Sequence, residues 1–439
     1  MKNNILLWSL TSALAGFLFG FDTVVISGAE QTIQKLWGLD TVLHGVAIAS
    51  ALYGTVVGSV LGGIPTDRWG RRATLLGIGI LYFISAIGTA FAQDVVTFTV
   101  ARFIGGLGIG VSTVVSPLYI AEIAPAEQRG RLAGLFQFNI VFGIVAAFGS
   151  NAALSLLGPD AWRWMLGVVA VPSLVYTVLC LSLPESPRWL ITHRGDRETA
   201  IRVLRQIQPL ASEEALDAKA EEIAASAVPR KAGGGFWSAG LGKPITMAFL
   251  IAFFNQVSGI NAVLYFAPRI FELTGLGTHA AMLTSIGIGF TNLVFTFTGL
   301  WLIDRLGRRA LLTMGSFGYI VSLGLTAWAF FTGHFNIVPA CIFLFIAAHA
   351  IGSGTVIWVF ISEIFPNQHR ASGQALGSGT HWVFAALITT IFPTMMQKFD
   401  AGWVFAFFCG MMVLQLLWVR LSMPETKGTV LEDVQTGLH

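Results

Sequence analysis

The stretch DRWGRR at 67–72 recurs as DRLGRR at 304–309, 237 positions later. Two more motifs repeat with it. EIAPAEQR at 122–129 returns as EIFPNQHR at 363–370, an offset of 241, and PESPR at 184–188 faces PETKG at 424–428, an offset of 240. Three motifs in one order, displaced by nearly one distance, indicate that the chain is a duplication. Its fold is therefore two copies of one unit.

Each copy is mostly apolar. With 54% apolar residues, 11% charged residues, a mean hydropathy of +0.72, 49 Gly and 34 Phe, the 439-residue chain has too little polar surface to coat a soluble globule. A helix needs about 20 apolar residues to cross about 30 Å of hydrocarbon. Runs of that length fall near 6–28, 43–65, 73–92, 95–119, 131–154, 163–183, 244–271, 280–303, 310–331, 336–361, 371–397 and 401–421. The expected fold is an all-α membrane protein of twelve transmembrane helices in two pseudo-symmetric six-helix halves. Residues 1–183 form the N-terminal half, 184–243 a cytosolic linker with short helices, 244–421 the C-terminal half and 422–439 a cytosolic tail. In the linker, Asp196 and Ser212 read as helix caps, and Ile201, Leu204 and Ile207 recur at helical spacing. The run AGGGFW (232–237) loosens the chain before the seventh span.

Charge sets the orientation. Of the 26 Lys and Arg, only Lys35, Arg163, Arg269 and Lys398 fall on the side opposite the termini, and Arg102 lies within a span, leaving 21 on the other side. The positive-inside bias places both termini in the cytosol. The net charge of +3 is a topology signal, and no nucleic-acid partner is expected. Cys180, Cys341 and Cys409 all fall in apolar runs, where they act as small packing residues. The first run has span length and no small-residue cleavage pattern, so it is not a signal peptide. A bacterial inner membrane is the expected location.

One acid breaks the first run. Asp22, in FLFGFDTVVISG (17–28), would cost about 2.5–3.5 kcal/mol as a charge at the centre of a membrane helix. Its partner is Arg102, the one Arg inside a span. Asp22 lies eight residues before Glu30 and Arg102 eight residues after Asp94, so at 1.5 Å per residue both sit about 12 Å inside the same boundary. Such a pair is either a static structural bridge or part of a proton path, since Asp can change state while Arg stays charged.

Two further groups carry polar chemistry. At the cytosolic helix ends lie Asp67, Arg71, Arg72, Glu122 and Arg129, then Asp304, Arg308, Arg309, Glu363 and Arg370. These are surface ion pairs or a latch that closes the cytosolic side. Inside the spans lie Gln137, Asn255, Gln256, Asn261 and Asn292, whose uncharged amides both donate and accept hydrogen bonds. Trp358 and Trp382 offer flat apolar faces, and the neutral ring of His381 can both donate and accept. Any one amide alone reads as helix–helix glue. Gln256 and Asn261 are five residues apart, about 140° around an unbroken helix, so both face one cavity only if the helix unwinds. Gly259 between them permits that.

The order GFDTVVISG, RFIGGLGIGV, SPLYIAEIAP, PESPRWL, NQVSGINAVLYFAP and PETKG, together with both DRxGRR copies, resembles the sugar porters of the major facilitator superfamily. That family includes bacterial proton-coupled xylose and glucose porters and animal facilitative glucose carriers. The resemblance spans nearly the whole chain and implies the major facilitator fold. It adds Glu185 and Glu425 to the cytosolic gate network. It makes Asp22 the proton site, with Arg102 its partner, because proton-coupled members carry Asp there and uniporters a neutral residue. It makes the amides, Trp358, Trp382 and His381 sugar ligands. The chain departs from the family at Asn255, where a second Gln is usual, at His381, where Asn or Gln is usual, and at GSGTVIW (352–358), which lacks the usual prolines. Ile144, seven after Gln137, resembles the glucose carriers.

The expected activity is proton-coupled import of a monosaccharide, glucose or a similar hexose, by alternating access. The alternatives are a facilitative uniporter or a symporter for a pentose or inositol. A membrane sugar sensor is disfavoured by a tail of about 18 residues after the last span. No metal-ligand cluster, nucleophile with a base, or phosphate loop is present, so neither an enzyme nor a cofactor is expected. The partners are the sugar, the proton and the bilayer, and the protein is expected to work as a monomer.

Overall fold

The computed structural model describes residues 2–125, 128–226, 236–237, 240–366 and 369–427. Among them there are helices and no strands. Twelve helices are long and apolar enough to cross a membrane: Asn4–Gly28, Thr41–Leu61, Arg71–Ala90, Val95–Ile123, Gly134–Leu157, Ala161–Cys180, Gly242–Tyr265, Thr278–Leu306, Arg308–Thr332, Phe335–Ile364, Arg370–Lys398 and Ala401–Ser422. They are spans 1 to 12 below, and each overlaps a run expected from the sequence. Their ends follow local chemistry. Asp94 caps span 4 by accepting from the backbone N–H groups of Val96 and Thr97, and these bonds, Thr97 foremost, hold its carboxyl below the usual range. Gly70 and Gly307, each with φ +93°, turn the chain into spans 3 and 9 at a backbone angle that L side chains rarely adopt.

The helices gather into two compact units: Met1–Thr23, Tyr53–Ile144 and Leu166–Ala232 in one, and Val24–Leu52, Val145–Met165 and Gly233–His439 in the other. In the first, glycines let helix backbones touch. A Cβ on Gly20 would lie 1.9 Å from the Ile140 carbonyl oxygen, so span 1 rests directly on span 5. A cluster of Leu18, Ile78, Tyr82, Ile109, Tyr119 and Tyr176 fills its interior. In the second unit, Ile251, Leu311, Ile357, Phe360 and Val419 form the corresponding core. Tyr82 and Tyr319, fully buried and 237 positions apart, occupy matching places in the two copies of the repeat.

Two spans of the second unit are interrupted. Span 7 runs as Gly242–Val257, bends at Gly259 (φ +87°), and continues as Ile260–Tyr265 and Ala267–Glu272. Span 10 breaks at Gly352, between Val338–Ile351 and Ser353–Ile364. In the linker, Asp196 caps Arg197–Ile207 through the Thr199 N–H at 3.0 Å, and Ser212 accepts from the Ala215 N–H at the start of Glu213–Ser226. Leu204 and Ile207 are buried, as their spacing predicts. Residues 232–235 of the glycine-rich run lie outside the described residues.

Candidate functional site

Span 1 brings Asp22, and span 4 brings Arg102, into one dry contact in the first unit. Arg102 Nη1 donates to Asp22 Oδ1 at 2.7 Å, and Nη2 donates to the Asp22 backbone carbonyl at 3.1 Å. The side chains are 4% and 1% exposed, so the pair meets almost no water. The grip is one-sided. Asp22 Oδ2 is buried and has no hydrogen-bond partner among the described residues, and neither do the nearby Tyr82 hydroxyl and Ser85 Oγ. A Cβ on Gly105 would meet Ser85 Oγ at 2.4 Å and Asp22 Oδ2 at 3.7 Å, so the missing side chain leaves the acid and the hydroxyl facing one small space. With Oδ1 held by the guanidinium, Oδ2 is the oxygen able to take a proton.

The amides of span 7 meet in the second unit. Gln256 is their hub. Its Oε1 accepts from Asn261 Nδ2 at 2.7 Å, and its Nε2 donates to Asn255 Oδ1 at 2.9 Å. The break at Gly259 brings Asn261 back onto Gln256, which an unbroken helix would hold far apart. Gln256 Nε2 also lies 3.2 Å and 3.1 Å from the two ring nitrogens of His381 on span 11. An atom equally close to both would collide with the carbon between them if it lay in the ring plane. It therefore sits over the ring face, and the in-plane donor and acceptor directions of His381 are not used by Gln256. The ring packs against Trp358 and Trp382 at centroid distances of 5.2 Å and 4.7 Å. Asn292, on span 8, is buried and accepts from Thr296 Oγ1 at 3.3 Å. Gln137 is half-buried on span 5, in the first unit, as is the buried Ile144.

The repeated charged motifs fold into two nearly identical brackets, one in each unit. Arg71 donates through Nε and Nη2 to Glu122, both at 2.9 Å, and through Nη1 to Asp67 at 3.2 Å. Arg308 does the same to Glu363, at 3.0 Å and 2.7 Å, and to Asp304 at 3.2 Å. Glu185 then accepts from the backbone N–H groups of Arg71 and Arg72, and Glu425 from those of Arg308 and Arg309. Each glutamate caps the start of a span with a side chain from another part of the chain. Burial pushes the Glu185 carboxyl up, against the N–H bonds from Ser186, Arg72 and Arg71 that pull it down. Arg72 and Arg309 donate to the carbonyls of Leu181 and Arg420. The side chain of Arg129 lies outside the described residues, and Arg370 Nε is buried without a partner among them.

Sequence reasoning missed a further charged cluster, on the face opposite the brackets. Arg269 grips Glu30 through Nε and Nη2 at 2.8 Å and 2.7 Å, and His44 Nε2 lies 2.8 Å from the same carboxylate. Arg269 had a cue: it is one of the four cations expected on that side.

A family described as sugar (and other) transporter matches residues 8–438. The chain is 35% identical to an arabinose-proton symporter of Bacillus subtilis, over 98% of this chain and 94% of that one. It is 34% identical to the glucose transporter GlcP of Staphylococcus epidermidis, over 100% and 98%. The structure of the xylose transporter XylE from E. coli in a partially occluded inward open conformation superposes with a TM-score of 0.86 at 32% identity, covering 98% of this chain and all of that one.

Proposed function

This chain belongs to the sugar transporter family and has the major facilitator fold, and we propose that within it the protein is a symporter that imports a monosaccharide with a proton by alternating access. It is a multi-pass membrane transporter and not an enzyme. The observation that carries the coupled reading is the buried Asp22–Arg102 pair, a titratable acid held by a fixed cation inside a span. Proton uptake on Asp22 would cancel its charge and loosen the hold on Arg102, tying protonation to rearrangement of spans 1 and 4.

Gln137, Asn255, Gln256, Asn261, Asn292, Trp358, His381 and Trp382 are the sugar ligands in this reading. Asn255, Gln256 and Asn261 bond to one another and supply both donors and acceptors, and His381 with the two Trp adds a ring edge and apolar faces. Glucose or a similar hexose is favoured by Ile144 and is in keeping with the GlcP relative. The organisation is two six-helix halves, 1–183 and 244–421, joined by the linker 184–243 and followed by the tail 422–439. Each half is stiffened at its cytosolic end by the bracket residues, with Arg129 and Arg370 completing the gate network. The protein works as a monomer in a bacterial inner membrane with both termini in the cytosol.

The test is sugar uptake into proteoliposomes with an imposed pH gradient, screened over hexoses, pentoses and inositol. Accumulation of a monosaccharide against its gradient, driven by protons, is the expected result. Failure to accumulate any sugar while downhill flux persists would make the protein a uniporter.

A further inference from the structure

The Glu30 cluster is too dry and too well built for a surface ion pair. Glu30 and His44 have fully buried side chains, and Arg269 is 23% exposed. The guanidinium binds the carboxylate with two bonds and spends Nη2 again on Gln34 Oε1 at 2.7 Å, while Gln31 holds Glu272 at 3.0 Å. All these residues lie in one compact unit. The other charged groups on these elements are Lys35 and Asp40, beside Glu30 and His44 in sequence, and Lys398 at the end of span 11.

The three partners come from different helices. Glu30 begins the short helix Glu30–Leu36 that follows span 1, His44 opens span 2, and Arg269 lies on the last piece of span 7. The same face is closed by contacts of span 2 with span 11. Thr41 donates to Gln397 at 3.0 Å, and a Cβ on Gly45 would lie 1.9 Å from the Thr390 carbonyl oxygen. The ion pair thus joins helices of the first copy of the repeat to helices of the second. Spacing gives it reach. Glu30 follows Asp22 by eight residues, and Arg269 follows Asn261 by eight. The clasp ties the end of the helix that carries the proton site to the end of the broken helix that carries the sugar amides.

We propose that Glu30, Arg269 and His44 are positioning residues for transport: a clasp that holds the outer face shut and must open once in every cycle to admit sugar from outside. This rests on the alternating-access reading. A carrier whose two repeats part on this face cannot keep a bidentate ion pair across them. Neutralising either partner removes the charge-assisted bonds and shifts the resting population toward the open outer face.

The test reads accessibility and needs no transport, so it is independent of proton coupling. Ser27, buried at 2% exposure in the turn just before Glu30, serves as a reporter as Ser27→Cys in a protein whose Cys180, Cys341 and Cys409 are replaced by Ala. Vesicles holding the full chain, right side out and without sugar, are treated with a membrane-impermeant maleimide. Glu30→Gln and Arg269→Gln should each label about tenfold faster than the parent, and the double variant no faster than the faster single, because both singles open one clasp. Labelling at the parent rate in both singles, or a double variant whose rate is the product of their effects, overturns the proposal. If a single variant fails to fold, the double variant, which leaves no unpaired buried charge, decides alone: faster labelling than the parent supports the clasp and the parent rate overturns it.

Discussion

Asn261→Ala tests the sugar site most sharply, because the structure says what it removes. Asn261 gives one hydrogen bond, 2.7 Å long, to Gln256 Oε1, and both side chains are buried at 7% and 1% exposure. If the amides serve only to hold span 7 in its bent shape, losing the bond leaves Gln256 Oε1 buried and unpaired, at about 1–3 kcal/mol of stability. Sugar affinity would then change little. If Asn261 is a ligand, the same loss falls on a sugar hydroxyl in the complex, and the dissociation constant should rise by about 5- to 150-fold, the factor that 1–3 kcal/mol represents. The bond to Gln256 is lost in either case, so a lowered unfolding temperature is common to both roles and the change in affinity is what separates them. Calorimetric titration of purified protein with glucose and xylose, paired with thermal unfolding without sugar, separates the two. A variant that binds hexose as tightly as the parent while unfolding several degrees lower refutes the ligand role and reduces Asn261 to a brace.

Other outcomes follow from the same geometry. Asp22→Asn should keep a folded, sugar-binding protein that exchanges sugar but no longer accumulates it, and uphill uptake at the parent level in proteoliposomes would remove Asp22 as the proton site. His381→Gln should keep transport and shift the competition profile among hexoses and pentoses, since its in-plane nitrogens are not used by Gln256; an unchanged profile would assign the ring to packing. Gly70→Ala should destabilise the first unit by about 1–3 kcal/mol for the positive-φ extended backbone alone, and by more because its Cβ would meet Glu185 Oε2 at 2.3 Å; equal unfolding temperatures would contradict this. The Thr199 N–H bond holds the Asp196 carboxyl below its ordinary value. Its cap is therefore fully present above the ordinary carboxylate range and lost as pH falls through the lowered folded value. Proteolysis near 197–207 should accelerate only at that acid end, and Asp196→Ala should abolish the pH step.

Much of this architecture is readable from sequence because a membrane constrains it so strongly. Apolar runs had to be helices, and the 237-residue offset of DRxGRR had to place Arg71 and Arg308 alike. The contact of Asp22 with Arg102 was legible because depth along a helix is a count of residues. The bend at Gly259 was legible because two amides five apart cannot share a side of a straight helix. The partners of Glu30 were not. Arg269 lies 239 positions away and His44 14 positions away on another span, and only the rotation of each helix about its axis, which hydropathy does not encode, decides whether they meet. Likewise, Glu185 and Glu425 entered through family resemblance, since nothing local tells a glutamate after span 6 that it will cap span 3.

The paired brackets make the protein its own control. Both copies keep the Arg–Glu and Arg–Asp bonds, and Glu363 alone also accepts from Thr426 Oγ1 at 2.6 Å, yet Glu122 is 5% exposed and Glu363 23%, with Arg71 at 6% against Arg308 at 10%. Made in a Thr426→Ala background, which removes the extra bond of the second copy, the same truncation in each copy compares one ion pair at two hydrations, with chain, detergent and assay held constant. Removing Glu122 strands a drier guanidinium than removing Glu363, so the cost should be greater in the first copy, and the difference measures what a thin layer of water is worth to an arginine.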